Sequence, residues 1–187
     1  VITVPLVMEK IFKSKVAPIV NKPVMKAICA IPGLNQIIFK KVRTSLMNAF
    51  GGNVREIVMG GAALNPEVEA WFRKFKIPFT VGYGMTEAAP LMAYEDWWDF
   101  ASKSCGKAID TVEVRIDSED PYNKVGEIQA RGMNIMSGYY KNEEATKAAF
   151  TEDGWMRTGD LGLLDEKGNI FIKGRSKNMI LSANGQN

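Results

Sequence analysis

With 187 residues, 46% of them hydrophobic, the chain has apolar content enough for one large domain or parts of two. A formal net charge of only +3 gives no global signature of nucleic-acid binding. There is no histidine and there are two isolated cysteines, Cys29 and Cys105, which excludes histidine-based acid–base chemistry, Ser–His or Cys–His nucleophiles and the usual zinc sites within the chain.

Isolated cysteines fit a reducing compartment, so a cytoplasmic location is expected. No apolar run approaches the roughly 18–20 residues needed to span a bilayer, and no signal peptide is visible. Val1 lies inside a helix-like pattern and Gly185-Gln186-Asn187 directly follow an apolar run, so a piece of a longer protein is expected. Charge is uneven: residues 1–50 hold eight Lys/Arg against Glu9 alone, while the rest hold 16 basic and 20 acidic residues.

Residues 4–20 place Val4, Val7, Met8, Ile11, Phe12, Val16 and Ile19 at helical spacing, with Lys10, Lys13 and Lys15 mostly elsewhere. Pro18 should kink or end that helix. A second helix is predicted with Leu34, Ile37, Ile38, Val42, Leu46 and Phe50 on one face and Gly51-Gly52 as its stop. Two readings fit these lysines: peripheral contact with an anionic membrane, or a solvated face over an ordinary core stripe, the second being favoured.

Arg55–Met59 reads as a short strand ending in Gly60-Gly61-Ala62-Ala63. Asn65-Pro66 supplies an N-cap followed by proline at the first helical position, and Val68, Trp71, Phe72 and Phe75 form the apolar face of the helix that follows. Ile77–Val81 returns as a second strand and runs into Gly82-Tyr83-Gly84-Met85-Thr86-Glu87. Strand, helix, strand implies a parallel pair, whose carboxyl ends share the sheet edge where open α/β sheets bind ligands. Tyr83 offers a ring, Thr86 a hydroxyl and Glu87 a hard oxygen ligand suited to Mg²⁺, a combination that points to a nucleotide. A glycine turn with a satisfied tyrosine is the plain structural alternative.

Residues 88–108 read as a loop carrying Tyr94, Trp97, Trp98 and Phe100, which line a substrate or, in the favoured reading, pack beneath the loop. From residue 111 the hydrophobic period becomes two: Thr111–Ile116, Glu127–Arg131, Asn169–Lys173 and Met179–Leu181 are strands, with Lys167-Gly168-Asn169 as a hairpin turn and Glu143–Phe150 as one short helix. Gly126, Gly132 and Gly138 read as barrel turns, and Thr158-Gly159-Asp160 as a carboxylate held in a tight turn. Asp160 suits the hydroxyls of a ribose, with an Asx turn as the alternative; Arg175, in Gly174-Arg175-Ser176-Lys177, joins it or covers a turn. The expected fold is therefore α/β: part of a parallel α/β sheet subdomain, then a small antiparallel β-sheet or barrel.

The order of these clusters, from Gly60-Gly61-Ala62 through Gly82–Glu87, Gly126-Glu127…Gly138-Tyr139 and Thr158-Gly159-Asp160 to Gly174–Lys177, resembles the adenylate-forming (AMP-binding) superfamily over roughly residues 45–187. Within it the likeness is to bacterial long-chain fatty-acid–CoA ligases. The resemblance implies that residues 1–174 are the C-terminal part of the large AMP-binding domain (1–108 its α/β portion, 109–174 its β-rich portion) and 175–187 the hinge and first strand of a small domain. It implies that Gly60, Gly61 and Ala62 line the adenine and acyl pocket and that Gly82, Tyr83 and Gly84 frame the adenine. Thr86 would contact the α-phosphate, Glu87 hold Mg²⁺, Asp160 and Arg175 meet the ribose, and Lys177 serve as the hinge.

ATP, Mg²⁺, coenzyme A and a fatty acid are the implied ligands. The implied reaction gives acyl-AMP and pyrophosphate, then acyl-CoA, and it needs no protein nucleophile because the substrate carboxylate attacks. The superfamily's phosphate loop and catalytic lysine do not occur in these residues, so the isolated chain is expected to be inactive. A non-catalytic acyl- or adenylate-binding module, or a ligase using aromatic acids or an acyl-carrier protein, remains open on the same scaffold.

Overall fold

The structure is a computed structural model that describes residues 1–31 and 33–176; the expected strand Met179–Leu181 and the hinge residue Lys177 lie outside the described residues. The described chain divides into two units, residues 1–81 and residues from 82 onward.

In the first unit, three short parallel strands, β1 (Ile2–Thr3), β2 (Ile57–Met59) and β3 (Phe79–Val81), pair in the order β1-β2-β3. The expected β2–β3 pair is present, with Met59 opposite Val81, and β1 is an addition that two residues could not announce. Ile57, Met59, Phe79 and Val81 are all buried, as parallel strands covered on their faces require.

The first predicted helix runs on past Pro18, as α1 (Pro5–Ile11), a π-helical turn at Phe12–Val16 and α2 (Ala17–Val20). Proline lacks the N–H that would close an α-helical bond and its ring crowds the preceding turn; here the chain is wider directly before it instead of ending. The buried stripe is Met8, Phe12, Val16 and Val20, whereas the expected Val4, Val7 and Ile19 are exposed. Lys10, Lys13 and Lys15 are solvated. An unexpected helix, α3 (Pro23–Ala30), begins on its proline. The expected α4 (Leu34–Ala49) ends at Gly51 and Gly52, both at positive φ (+88° and +80°), with Gly52 N–H returning to the Met47 carbonyl at 2.9 Å. Only its C-terminal half is buried; Leu34 and Ile37 stand in solvent.

Helix α5 (Pro66–Lys74) begins as expected: the Asn65 side chain accepts N–H groups of Glu67 at 2.9 Å and Val68 at 3.3 Å. Its aromatic face organises the unit. Phe72, fully buried, meets Phe12 edge-on with centroids 6.3 Å apart and Phe79 at 5.6 Å; Trp71 stacks on Phe75 at 5.3 Å, and Phe39 of α4 packs against both.

The second unit holds two antiparallel sheets. One is β4 (Tyr83–Gly84), β5 (Leu91–Tyr94) and β6 (Lys107–Ala108); the other has the order β10-β9-β8-β7, from β7 (Val112–Asp117), β8 (Gly126–Gly132), β9 (Met156–Leu164) and β10 (Ile170–Arg175), with α6 (Glu143–Ala149) between β8 and β9. Residues 88–108 thus contain two strands where a loop is expected. Met92 and Ala93 are both buried, so β5 shows no alternation to read. Within that passage Phe100 packs inward and Trp98 is exposed. Gly126 and Gly132 end β8 and are not turn residues: a Cβ on either would run into the Asp117 or Thr111 carbonyl. The expected turn at Lys167–Asn169 is present, with Gly168 at φ +83° and the Asp165 carboxylate accepting the Lys167 and Asn169 N–H groups at 2.9 and 2.8 Å. No described helix is long and apolar enough to cross a membrane.

On the sheet surface Arg115 and Arg131 lie over Trp155, 4.5 and 4.6 Å from the ring centre, and Arg115 grips Asp153 through two bonds of 2.7 and 3.1 Å. The Arg115 guanidinium, foremost, holds the Asp153 carboxyl down to about 2. Because the folded value lies below the unfolded one, this contribution is present above pH ~4 and is lost as pH falls toward 2. Asp153→Asn is therefore expected to flatten the acid limb of the stability profile between those values, and an unchanged slope would show the pair to be inert. In the first unit, Phe72→Ala should cost about 3–5 kcal/mol in urea unfolding; a loss below about 1 kcal/mol would mean that the aromatic cluster repacks around the gap.

Candidate active site

Asp160 lies in β9, not in the turn expected of Thr158-Gly159-Asp160, and an irregularity in that strand positions it. Glu127 of β8 pairs with Leu161 and Gln129 pairs with Arg157, so three β9 residues stand against the single residue Ile128. Gly159, at φ +71°, takes the left-handed backbone this requires. The bulge is bonded throughout. Thr158 Oγ1 donates to the Ile128 carbonyl at 2.7 Å, Gly159 N–H donates to Glu127 Oε1 at 3.1 Å, and Asp160 N–H donates to Thr158 Oγ1 at 3.1 Å.

Asp160 is only 5% exposed, and its carboxylate is answered on both oxygens. Tyr83 Oη donates to Oδ2 at 2.7 Å, and Arg175 Nε, directly opposite Asp160 in the β9–β10 ladder, donates to Oδ1 at 2.8 Å. Burial, first, pushes the Tyr83 phenol far above its ordinary range; a hydrogen bond to Thr158 opposes this and the Asp160 carboxylate adds to it. Tyr83 therefore stays a protonated donor at any physiological pH. The buried Cys105 thiol is likewise pushed up to about 11, chiefly by desolvation, and so is no nucleophile.

Thr86 and Glu87 occupy a single 3-10 turn, Thr86–Ala88, directly after β4. Gly84 admits the Pro90 carbonyl where a Cβ would stand, and Met85 N–H closes the loop onto that carbonyl at 2.8 Å. Gly82 sits against Leu91 and the Ala93 carbonyl, with room for little else. The Thr86 side chain is exposed; Glu87 is half-buried, with Oε1 accepting from Tyr139 Oη at 2.9 Å. The Asp160 carboxylate, which accepts its hydrogen bond, raises the Arg175 guanidinium above its usual value.

The structure thus brings Tyr83, Asp160 and Arg175 into direct contact and sets Thr86 and Glu87 on the turn that follows β4. In the first unit, Gly60, Gly61 and Ala62 leave the carboxyl end of β2, Gly61 at φ +84°, on the edge where β3 also ends. Two contributors escape the sequence reading. Tyr139 is visible in it only as part of a glycine-spaced run, and Asn134, whose amide donates to the Ala88 and Leu91 carbonyls at 2.7 and 2.8 Å, carries no sequence signal.

Residues 2–140 match the protein family described as AMP-binding enzyme. The chain is 37% identical over 153 residues to a long-chain-fatty-acid–CoA ligase of Mycobacterium bovis, covering 82% of this chain and 24% of that protein. It is 36% identical over 158 residues to long-chain-fatty-acid–CoA ligase 4 of Saccharomyces cerevisiae, covering 82% and 22%. It thus spans about a quarter of the length of these curated relatives. Among solved structures, o-succinylbenzoate coenzyme A synthetase of Bacillus subtilis in complex with ATP and magnesium ion superimposes with a TM-score of 0.64 at 26% identity, over 75% of this chain and 32% of that one.

Tyr83→Phe removes the donor to Asp160 Oδ2 and leaves a buried carboxylate to Arg175 alone. A loss of about 1.5–3 kcal/mol is expected, read as a lower midpoint in urea denaturation. An unshifted midpoint would show that solvent replaces the phenol without cost.

Proposed function

The chain belongs to the family of AMP-binding enzymes, and from that premise we propose that the protein activates a long-chain fatty acid with ATP and passes the acyl group to coenzyme A. The observation that carries this reading is the Tyr83–Asp160–Arg175 cluster. Each Asp160 oxygen holds one donor and retains a lone pair, and the two together match the paired hydroxyls of a ribose. Arg175 is the part that can yield: its side chain is 63% exposed against 8% for that of Asp160. A ribose arriving from its side finds the carboxylate already aligned by Tyr83 and the bulge.

The remaining residues have roles that follow from their chemistry. Thr86 presents an exposed hydroxyl to an α-phosphate oxygen, and Gly82 and Gly84, by letting the chain from Pro90 to Ala93 pack close, fix the strand that carries Tyr83. Gly60, Gly61 and Ala62 would face the base and the acyl chain. Glu87 fits Mg²⁺: it is half-buried with its Oε2 without a hydrogen bond among the described residues, and this ion is commonly held by one or two carboxylates with water and substrate phosphates completing its shell. When bound, the ion would supply positive charge against the phosphates.

The reaction needs no nucleophile from the protein. A carboxylate oxygen of the acid bonds to the α-phosphorus as the bond to pyrophosphate breaks, giving the mixed anhydride; the thiol sulfur of coenzyme A then takes the acyl group and AMP leaves. What the protein supplies is position and charge, worth ~7–11 kcal/mol where alignment is good. The names of the mycobacterial and yeast relatives support a fatty acid over an aromatic one.

In the full-length protein, Asp160→Ala should cut fatty-acid-dependent ATP–pyrophosphate exchange by at least about a hundredfold, two charge-assisted hydrogen bonds counting for roughly 1.5–3 kcal/mol each. Unchanged exchange in a folded variant would remove the ribose assignment, and exchange driven by an aromatic acid but by no fatty acid would remove the substrate class.

A further inference from the structure

One loop holds Glu87 from both its main chain and its side chain. Met136 N–H donates to the Glu87 carbonyl at 2.8 Å, Asn134 Nδ2 donates to the next carbonyl, that of Ala88, at 2.7 Å, and Tyr139 Oη donates to Glu87 Oε1 at 2.9 Å. The far end of this loop is itself fixed. Tyr139 N–H donates to Thr146 Oγ1 at 2.9 Å, that hydroxyl donates to the Asn142 carbonyl at 2.7 Å, and the Asn142 side chain caps α6. A Cβ at Gly138 would stand 2.7 Å from Thr146 Cγ2, so the glycine lets loop and helix close together.

Tyr139 is 41% exposed, so burial alone does not explain where its ring points; the phenol–carboxylate contact does. That contact has a consequence for the ion. With Oε1 engaged, Glu87 presents Oε2, which has no hydrogen bond among the described residues. A carboxylate with one oxygen already holding a donor is biased toward end-on binding through the other. Mg²⁺ accepts this within its tight octahedron, whereas Ca²⁺ commonly takes both oxygens of a carboxylate at longer range.

We propose that Tyr139 is a positioning residue that holds Glu87 as a one-oxygen ligand and so favours Mg²⁺ over Ca²⁺. The proposal rests on the reading of Glu87 as the magnesium ligand. Removing hydrogen-bonded partners of metal ligands typically weakens metal binding by about 10–100-fold, and an exposed tyrosine should fall at the low end of that range.

The test is Mn²⁺ binding to the ATP-loaded full-length protein, followed by electron paramagnetic resonance, for the wild type, Tyr139→Phe and Glu87→Gln. Tyr139→Phe, which keeps the ring, should raise the Mn²⁺ dissociation constant about tenfold. It should also raise the half-saturating Mg²⁺ concentration for exchange while leaving the rate at saturating Mg²⁺ close to wild type, and make Ca²⁺ a stronger competitor. If Glu87→Gln abolishes Mn²⁺ binding and Tyr139→Phe leaves both binding and Mg²⁺ dependence unchanged, the positioning role is wrong and the metal reading stands. If Glu87→Gln also leaves Mn²⁺ binding unchanged, both fall.

Discussion

A buried carboxylate has to be surrounded by donors, and residues 82–176 are built so that Asp160 meets that condition. The donors come from distant parts of the chain: Tyr83 from a two-residue strand at the start of the unit, Arg175 from the last described strand. Asp160 itself stands in the bulge that sets three β9 residues against Ile128. That bulge in turn depends on a left-handed Gly159 and on Thr158, whose hydroxyl both donates to Ile128 and accepts from Asp160. The four-stranded sheet is the frame that lets these bonds form together. Replacing Gly159 would strain the backbone at a point where the neighbouring groups are already committed.

The fold was readable where one signal acted alone. Asn65-Pro66 announces α5 because a side-chain cap and a proline at the first helical position act locally, and the cap bonds are present. The β2–β3 pair follows from two short apolar runs around that helix, and the turn at Lys167–Asn169 from its own residues. Strand β9 was hidden because its residues serve two purposes. Gly159 and Gly162 interrupt any alternation, yet one makes the bulge and the other makes room for Ile128 and the Phe171 carbonyl. The residue types of the site were visible while their setting was not: Asp160 looks the same in a turn and in a bulged strand, and only pairing across the sheet distinguishes them.

The helical start of the chain shows the opposite difficulty. Its apolar periodicity is clear, but periodicity does not say which of two overlapping stripes is covered. Met8, Phe12, Val16 and Val20, spaced by four, are covered, and the π-helical turn before Pro18 shifts the register enough to leave Ile19 outside. The aromatic cluster on α5 explains the choice, since Phe12 lies edge-on to Phe72, the fully buried centre of that cluster. A long-range contact of this kind leaves no local mark in sequence. Nor does Phe39, placed by its contacts with Trp71 and Phe75 and not by the stripe of its own helix.

The two acidic positions in the second unit are distinguished by surroundings rather than by residue type. Asp160 is enclosed, with a donor on each oxygen, and the more exposed of its two partners is Arg175. Glu87 is half-buried on a one-turn helix, with one oxygen bonded and the other clear. An enclosed carboxylate with fixed lone pairs suits hydroxyl groups, whose hydrogen bonds are short and directional; a carboxylate with a clear oxygen suits a cation that brings its own water.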